Sequence, residues 1–364
     1  MSTMKKTSTN TTSKKYLVRN IAILFLSVVM LIGGVGCVYA DNLLGNINFV
    51  PNDTPSKVQT GELFGTGTTS EGVTSAKSGV LGGLYHDDAI TNILLLGVDD
   101  YQKNDTGRSD SMMMVSVDTR HNKLKLTSFM RDMYVAIPGH GSNRINAAYS
   151  LAGGGVEGAK KVVSTIEANF GTDIDRYVII SNSAFNKIVD KLGGVKITLT
   201  NEKDQYGRTE ADLVNLYSGD SRHNLKTGTF VLSGAQAHYY SRIRAIGDDF
   251  ERTERQRKVF SSIVDKFKTA NILTINSALS ETLQLVTTNM TKDEILGMAG
   301  NSLKYLNYPV TQNRIPNDNA YESVNVMLGG QKADVLAPDL KKNSESVANF
   351  IFESDLPTKT YANN

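Results

Sequence analysis

Apolar residues fall along this chain in three rhythms. Across residues 21–40 they are interrupted only by small residues, a run about as long as a bilayer-spanning helix. Across residues 41–88 no period is sustained and Gly, Ser and Thr are frequent, as in a flexible tether. From Asn92 onward, short apolar runs of strand length alternate with stretches in which apolar residues recur every three or four positions. Residues 92–98, 112–117, 124–128, 177–180 and 195–199 are predicted strands; residues 145–151, 158–170 and 183–192 are predicted helices. Ser233 is the predicted N-cap of a short helix leading to Arg242, and Thr291-Lys-Asp-Glu294 is a capping box opening another. The polar segment 201–224 reads as a loop. The expected fold is α/β, a mixed central β-sheet flanked by helices, preceded by one transmembrane helix.

Charge sharpens this organisation. The net charge is +2, yet Lys5, Lys6, Lys14, Lys15 and Arg19 give residues 1–40 a charge of +5 with no acid, leaving −3 for the rest. Positive charge before the apolar run predicts a cytoplasmic N-terminus and an extracytoplasmic body, hence a single-pass protein of the cell membrane. Val38-Tyr-Ala40 also fits a cleavage site, but the run is long for a signal peptide, and a signal anchor is the reading adopted. The organisation expected is a basic tail (1–20), an anchor (21–40), a linker (41–88) and one folded domain (89–364). Cys37 is the only cysteine, so the body forms no internal disulfide. An acidic body is not a nucleic-acid-binding domain.

The candidate chemistry gathers in Ser241–Arg257, which holds five arginines. Arg242 and Arg244, two apart, are expected on one side of an extended segment. Beyond Gly247, Val259, Phe260, Ile263, Val264 and Phe267 form a helical stripe that runs back onto Gln256 and Arg252. Forked donors at a helix start suit an oxyanion, most naturally phosphate; the plainer alternative is a solvated, salt-bridged helix start. Three predicted strands also end on charge, in Asp99-Asp100, Gly107-Arg-Ser-Asp110 and Phe129-Met-Arg-Asp132. Paired carboxylates without imidazole or thiol suit a hard cation, Mg²⁺ or alternatively Mn²⁺. Gly153-Gly-Gly-Val-Glu-Gly158 has dinucleotide-fingerprint spacing but follows a helical pattern, so it reads as a turn between helices. The five histidines lack zinc-ligand spacing, and no Gly-x-Ser-x-Gly elbow occurs.

Leu96-Gly-Val-Asp99, Gly107-Arg-Ser-Asp110, Arg131-Asp132, Arg144-Ile-Asn-Ala147 and the arginine stretch, in this order, resemble the LytR-CpsA-Psr (LCP) family over about residues 90–270. The resemblance implies transfer of an anionic glycopolymer (wall teichoic acid or capsular polysaccharide) from a polyprenyl diphosphate carrier to a peptidoglycan sugar hydroxyl. By position it makes Asp99 and Asp110 Mg²⁺-associated carboxylates, and Arg108, Arg131, Arg242, Arg244 and Arg252 diphosphate-binding arginines. Gln256 stands beside them and Asp249 orients them. Asp99, Asp110, Arg131 and Arg242 are the catalytic candidates. A non-catalytic polyprenyl-phosphate-binding regulator and a hydrolase of the same lipid are the alternatives.

Overall fold

A computed structural model describes residues 47–50, 83–98, 107–222, 224–247, 286–301 and 308–357, with single positions and pairs between 251 and 266 and at 304–305 and 359–360. In chain order the elements are β1 (Asn48–Phe49), β2 (Leu84–Tyr85), β3 (Ile90–Val98), β4 (Ser109–Asp118), β5 (Lys123–Phe129), β6 (Tyr134–Ile137) and β7 (Gly141–Arg144). Helices α1 (Ala147–Leu151) and α2 (Gly155–Phe170) lead to β8 (Arg176–Ser181), α3 (Asn182–Lys191), β9 (Val195–Leu199) and α4 (Glu210–Tyr217). Then come β10 (Gly228–Leu232), α5 (Gly234–Arg242), β11 (Val286–Thr288), α6 (Lys292–Gly300) and β12 (Val310–Ile315). The chain closes with β13 (Tyr321–Leu328), β14 (Gln331–Pro338), α7 (Leu340–Phe352) and β15 (Lys359–Thr360).

The chain divides into two compact units, one built on Ile47–Asn182, Gln284–Glu294 and Thr311–Asn364, the other containing Ser183–Leu283 and Ile295–Val310. The first is organised by a seven-stranded sheet in the order β1-β11-β8-β3-β4-β5-β12. β3 is antiparallel to β4 and parallel to β8, while β8 is antiparallel to β11, so the sheet is mixed, as expected from the sequence. Alternation along β3 puts Leu94, Leu96 and Val98 into one core with Met112, Met114, Tyr177 and Ile179. Val162, Val163, Ile166 and Phe170 of α2 and Val347, Ile351 and Phe352 of α7 pack into the same core. The Phe129 and Phe170 rings lie 5.5 Å apart.

The glycine run after α1 is a turn between two helices and not a cofactor loop. Gly153, Gly154 and Gly155 all have positive φ, and Gly154 is the N-cap residue of α2. Gly158 lies inside α2, where an added Cβ would come within 2.7 Å of the Tyr149 carbonyl oxygen. Its smallness lets α1 and α2 approach.

In the second unit β9 and β10 pair antiparallel, and α3, α4 and α5 bury Ala184, Val189, Leu213, Val214, Ala237 and Tyr240. One sequence expectation is corrected here. Segment 201–224 is not all loop, because Thr209 and Asp212 form a capping box and start α4. The polar residues that suggest a loop include the caps of a helix whose buried residues are Glu210, Ala211, Leu213 and Val214. Ser233 and Gln236 form the reciprocal capping box that opens α5, and Thr291 with Glu294 does the same for α6.

Candidate functional site

Strand direction gathers one set of predicted site residues at one end of the sheet. β3 ends at Val98, which pairs with Ser109 at the start of β4 and with Ser181 at the end of β8; β5 ends at Phe129, opposite Met112. The register between β3 and β4 shifts at Gly97 and Val98, which pair with Ser111 and Ser109. Asp110 is therefore the extra residue of a β-bulge, a feature that re-aims a side chain out of the alternating pattern.

Arg131 Nη1 donates to Asp110 Oδ1, and Arg131 Nε stands 3.7 Å from Asp132 Oδ2. Arg144 Nε lies 3.3 Å from Asp132 Oδ1, and its Nη2 donates to the Asp334 carbonyl at 2.7 Å. The four side chains thus form a chain Asp110–Arg131–Asp132–Arg144, alternating in sign. Backbone bonds hold its centre: Met130 N–H donates to Ile315 O at 2.8 Å and Leu336 N–H to Asp132 O at 3.0 Å. Arg131 keeps 13% of its side chain exposed, Asp110 27% and Asp132 28%, so the cluster reaches solvent. Arg108, exposed, precedes it after Gly107. This arrangement exceeds a lone surface ion pair, since Arg131 is held between two carboxylates.

Asp110 supplies hard oxygen donors and, among the described residues, is not grouped with an imidazole or thiol, which fits a Mg²⁺ ion that takes one or two carboxylates plus substrate oxygens. Asp99, its predicted partner, lies outside the described residues, as do Asp249 and Gln256.

The second unit carries the other arginines. α5 extends through Arg242, so Arg242 and Arg244 do not share an extended segment as the two-residue spacing suggested. Arg242 occupies the last turn of α5, with Nη1 3.5 Å from His238 Nε2, and the exposed Arg244 follows the helix end. Arg252 is 5% exposed and Val259 and Ile263 are 2% each, so the inward stripe exists and Arg252 belongs to it. Arg255, not among the predicted site residues, is more deeply buried still at 2%. Its Nη1 and Nη2 donate to Ile243 O at 3.2 Å and Ile246 O at 2.8 Å, on either side of Arg244. Arg144 and Arg255 have no assigned role in the sequence, although the first opens the Arg144-Ile-Asn-Ala147 motif and the second lies within the arginine stretch.

A mixed sheet flanked by helices, with an alternating-charge cluster at one strand end, places the protein in the α/β class. The chain belongs to the LytR_cpsA_psr family, matching it over residues 57–343. It is 34% identical over 214 residues to the polyisoprenyl-teichoic acid–peptidoglycan teichoic acid transferase TagU of Bacillus cereus, covering 58% of this chain and 64% of that protein. It is 32% identical over 215 residues to the corresponding transferase TagT of Bacillus subtilis, covering 57% and 62%. The chain thus spans somewhat less than two thirds of the length of these relatives. A solved structure described as TagT bound to LIIa-WTA superposes with a TM-score of 0.53 at 25% identity, covering 72% of this chain and 91% of that one.

Proposed function

We propose that this protein transfers an anionic glycopolymer of the teichoic acid or capsular polysaccharide class from a polyprenyl diphosphate carrier to a peptidoglycan sugar hydroxyl. The observation that carries this reading is the Asp110–Arg131–Asp132–Arg144 chain at the bulged end of the sheet, in a chain whose relatives are named as teichoic acid transferases. Outside the membrane no nucleotide triphosphate drives transfer, so the donor must arrive activated, as a diphosphate is.

The sugar hydroxyl oxygen attacks the phosphorus that bears the polymer. A P–O bond to the carrier breaks, and polyprenyl phosphate leaves with the electron pair. Arg131, with Arg108 beside the same strand end, is placed to neutralise the diphosphate. Asp110 or Asp99 takes the hydroxyl proton. Mg²⁺, held by these same carboxylates, would supply charge stabilisation on the phosphate oxygens. Arg144 positions Asp132, and Asp132 in turn positions Arg131.

Residues 21–40 are the proposed membrane anchor, with the body outside the cell; they lie outside the described residues, among which no helix is long and apolar enough to cross a membrane. The test is transfer of labelled polymer from its lipid donor to glycan, run beside donor binding. Asp110→Asn is expected to abolish transfer and leave binding within a few-fold, because the arginines provide most of the ground-state grip. Wild-type transfer by both Asp110→Asn and Asp99→Asn would remove the enzymatic reading. Release of polymer to water would indicate a hydrolase, and binding without any product a receptor.

A further inference from the structure

The end of the sheet opposite Asp110 carries a second constellation. His86 precedes β3, Asp173 and Asp175 precede the parallel strand β8, and Ile93 pairs with Arg176 just beyond them. Asp110 is level with the other ends of these strands. Five residue steps of strand, from Ile93 to Val98, separate the two levels, roughly 17 Å at strand rise.

One ligand atom from each of His86, Asp173 and Asp175 lies within 4.8 Å of the others. His86 Nδ1 is 3.0 Å from Asp173 Oδ2, and His86 Nε2 is 3.0 Å from Asp88 Oδ1. Both ring nitrogens thus face carboxylates. A neutral imidazole carries one proton, and an Nε2–H given to Asp88 leaves the Nδ1 lone pair facing the Asp173 oxygen. Two acceptors at that distance need a cation or a second proton between them.

Arg176 gives Nε to Glu294 Oε2 at 2.9 Å and Nη1 to the Asp175 backbone carbonyl at 2.6 Å, so these donors do not go to the two carboxylates. The carboxylates are nevertheless held in place. Asn92 N–H donates to Asp175 Oδ2 at 2.7 Å, and Asn92 Nδ2 to the Asp173 carbonyl at 2.8 Å. A separate observation concerns buried oxygens beside the cluster. Asn92 is 2% exposed and Thr172 fully buried, yet Asn92 Oδ1 and Thr172 Oγ1 have no hydrogen-bond partner among the described residues. Buried acceptors left in this way usually answer to a water or ion.

We propose that His86, Asp173 and Asp175 form a binding site for a borderline divalent cation of the Zn²⁺ or Mn²⁺ class, separate from the transfer site. His86 ligates through Nδ1, and Asp88 orients the ring from Nε2, the carboxylate–histidine–metal arrangement that fixes the tautomer. One imidazole with two carboxylates favours Zn²⁺ or Mn²⁺ over Mg²⁺, which prefers oxygen alone. The bound ion ties the segment at His86 to the start of β8 and so braces the sheet from its far end. The other His–carboxylate group, Asp118, His121 and Glu353, is filled differently: the Lys125 ammonium sits against Asp118 at 2.6 Å and Glu353 at 3.0 Å.

The experiment uses the full chain, untagged, stripped of metal by chelation, with ZnCl₂ followed by calorimetry and thermal unfolding. One Zn²⁺ per chain is expected to bind and raise Tm, and MgCl₂ at the same concentration does not compete. His86→Gln and Asp173→Asn each weaken binding tenfold or more, whereas His121→Gln leaves it unchanged. Asp88 is fully exposed, so Asp88→Asn tests the orienting role without risk to folding and is expected to weaken binding several-fold. Zn²⁺ binding unaltered by His86→Gln and Asp88→Asn, or no binding by the metal-free chain, would overturn the proposal and leave a doubly protonated His86 as the bridge. Because transfer activity is not the readout, failure here is distinguishable from failure of the proposed function.

Discussion

Arg255 Nε donates to Glu210 Oε1 at 2.7 Å, and the two side chains are 3% and 2% exposed. The other Glu210 oxygen accepts from Thr200 N–H at 2.7 Å. This buried pair joins the start of α4 to the turn after α5, since the same guanidinium holds the Ile243 and Ile246 carbonyls that flank Arg244. Removing one partner strands a buried charge, at a cost of about 3–5 kcal/mol. Arg255→Ala and Glu210→Ala are therefore expected to lower unfolding free energy in denaturant titration by that amount. The exposed Arg244→Ala is expected to stay within about 0.5 kcal/mol of wild type.

Arg131 is expected to resist conservative replacement. It reaches Asp110 and Asp132 from different nitrogens of one planar group, which a lysine ammonium cannot reproduce. Arg131→Ala is expected to weaken donor-lipid binding by about 1.5–3 kcal/mol, the loss of a charge-assisted bond, and Arg131→Lys to recover less than half of it. Affinity measured by lipid titration decides; full recovery by lysine would show that only charge matters.

The acid limb of stability contains a contribution from Glu353. Lys123 Nζ contacts both its oxygens, at 2.7 and 2.9 Å, and with Lys125 holds this carboxyl down to about 2 from an ordinary 4.5. A depressed carboxyl contributes stability that is complete above 4.5 and disappears as pH falls towards 2. Glu353→Gln is expected to flatten the Tm-versus-pH curve over that window and to lower Tm at neutral pH. Identical slopes for the two proteins would refute the assignment.

Gly158 tests the approach of α1 and α2. Its added methyl would meet the Tyr149 backbone at 2.7 Å and the Tyr149 ring at 2.8 Å. Alanine normally favours a helix over glycine, so intrinsic propensity alone predicts stabilisation by up to about 1 kcal/mol. Overpacking opposes it, at about 1–3 kcal/mol, and is expected to win. Thermal unfolding of Gly158→Ala gives the sign.

Topology is checked from outside the cell. The +5 segment before residues 21–40 leads to the expectation that a reporter fused after Asn364 is active only outside the cytoplasm. Protease protection of the body in intact protoplasts would contradict this.

Period and capping are written within a few neighbouring residues, and for that reason the β3, β4, β5 and β8 strands, the α2 and α3 helices and the caps at Ser233 and Thr291 were legible in the sequence alone. So was the inward turn of Arg252, because a helical stripe needs only its own 3.6-residue repeat. Partner choice is different. Which acid meets Arg255 is decided 45 positions away at Glu210, and Arg131 meets Asp110 across 21 positions. No local window contains both members of either pair. The bulge at Asp110 likewise depends on the register of β3 against β4, a property of two strands together. The end of α5 at Arg242 followed its helical bonding, which overrode the extended reading of the Arg-x-Arg spacing. Local chemistry thus determined which residues carry charge and which elements they start or end. Tertiary packing decided which charges meet, because long side chains find their partners only once the strands and helices bearing them are in register.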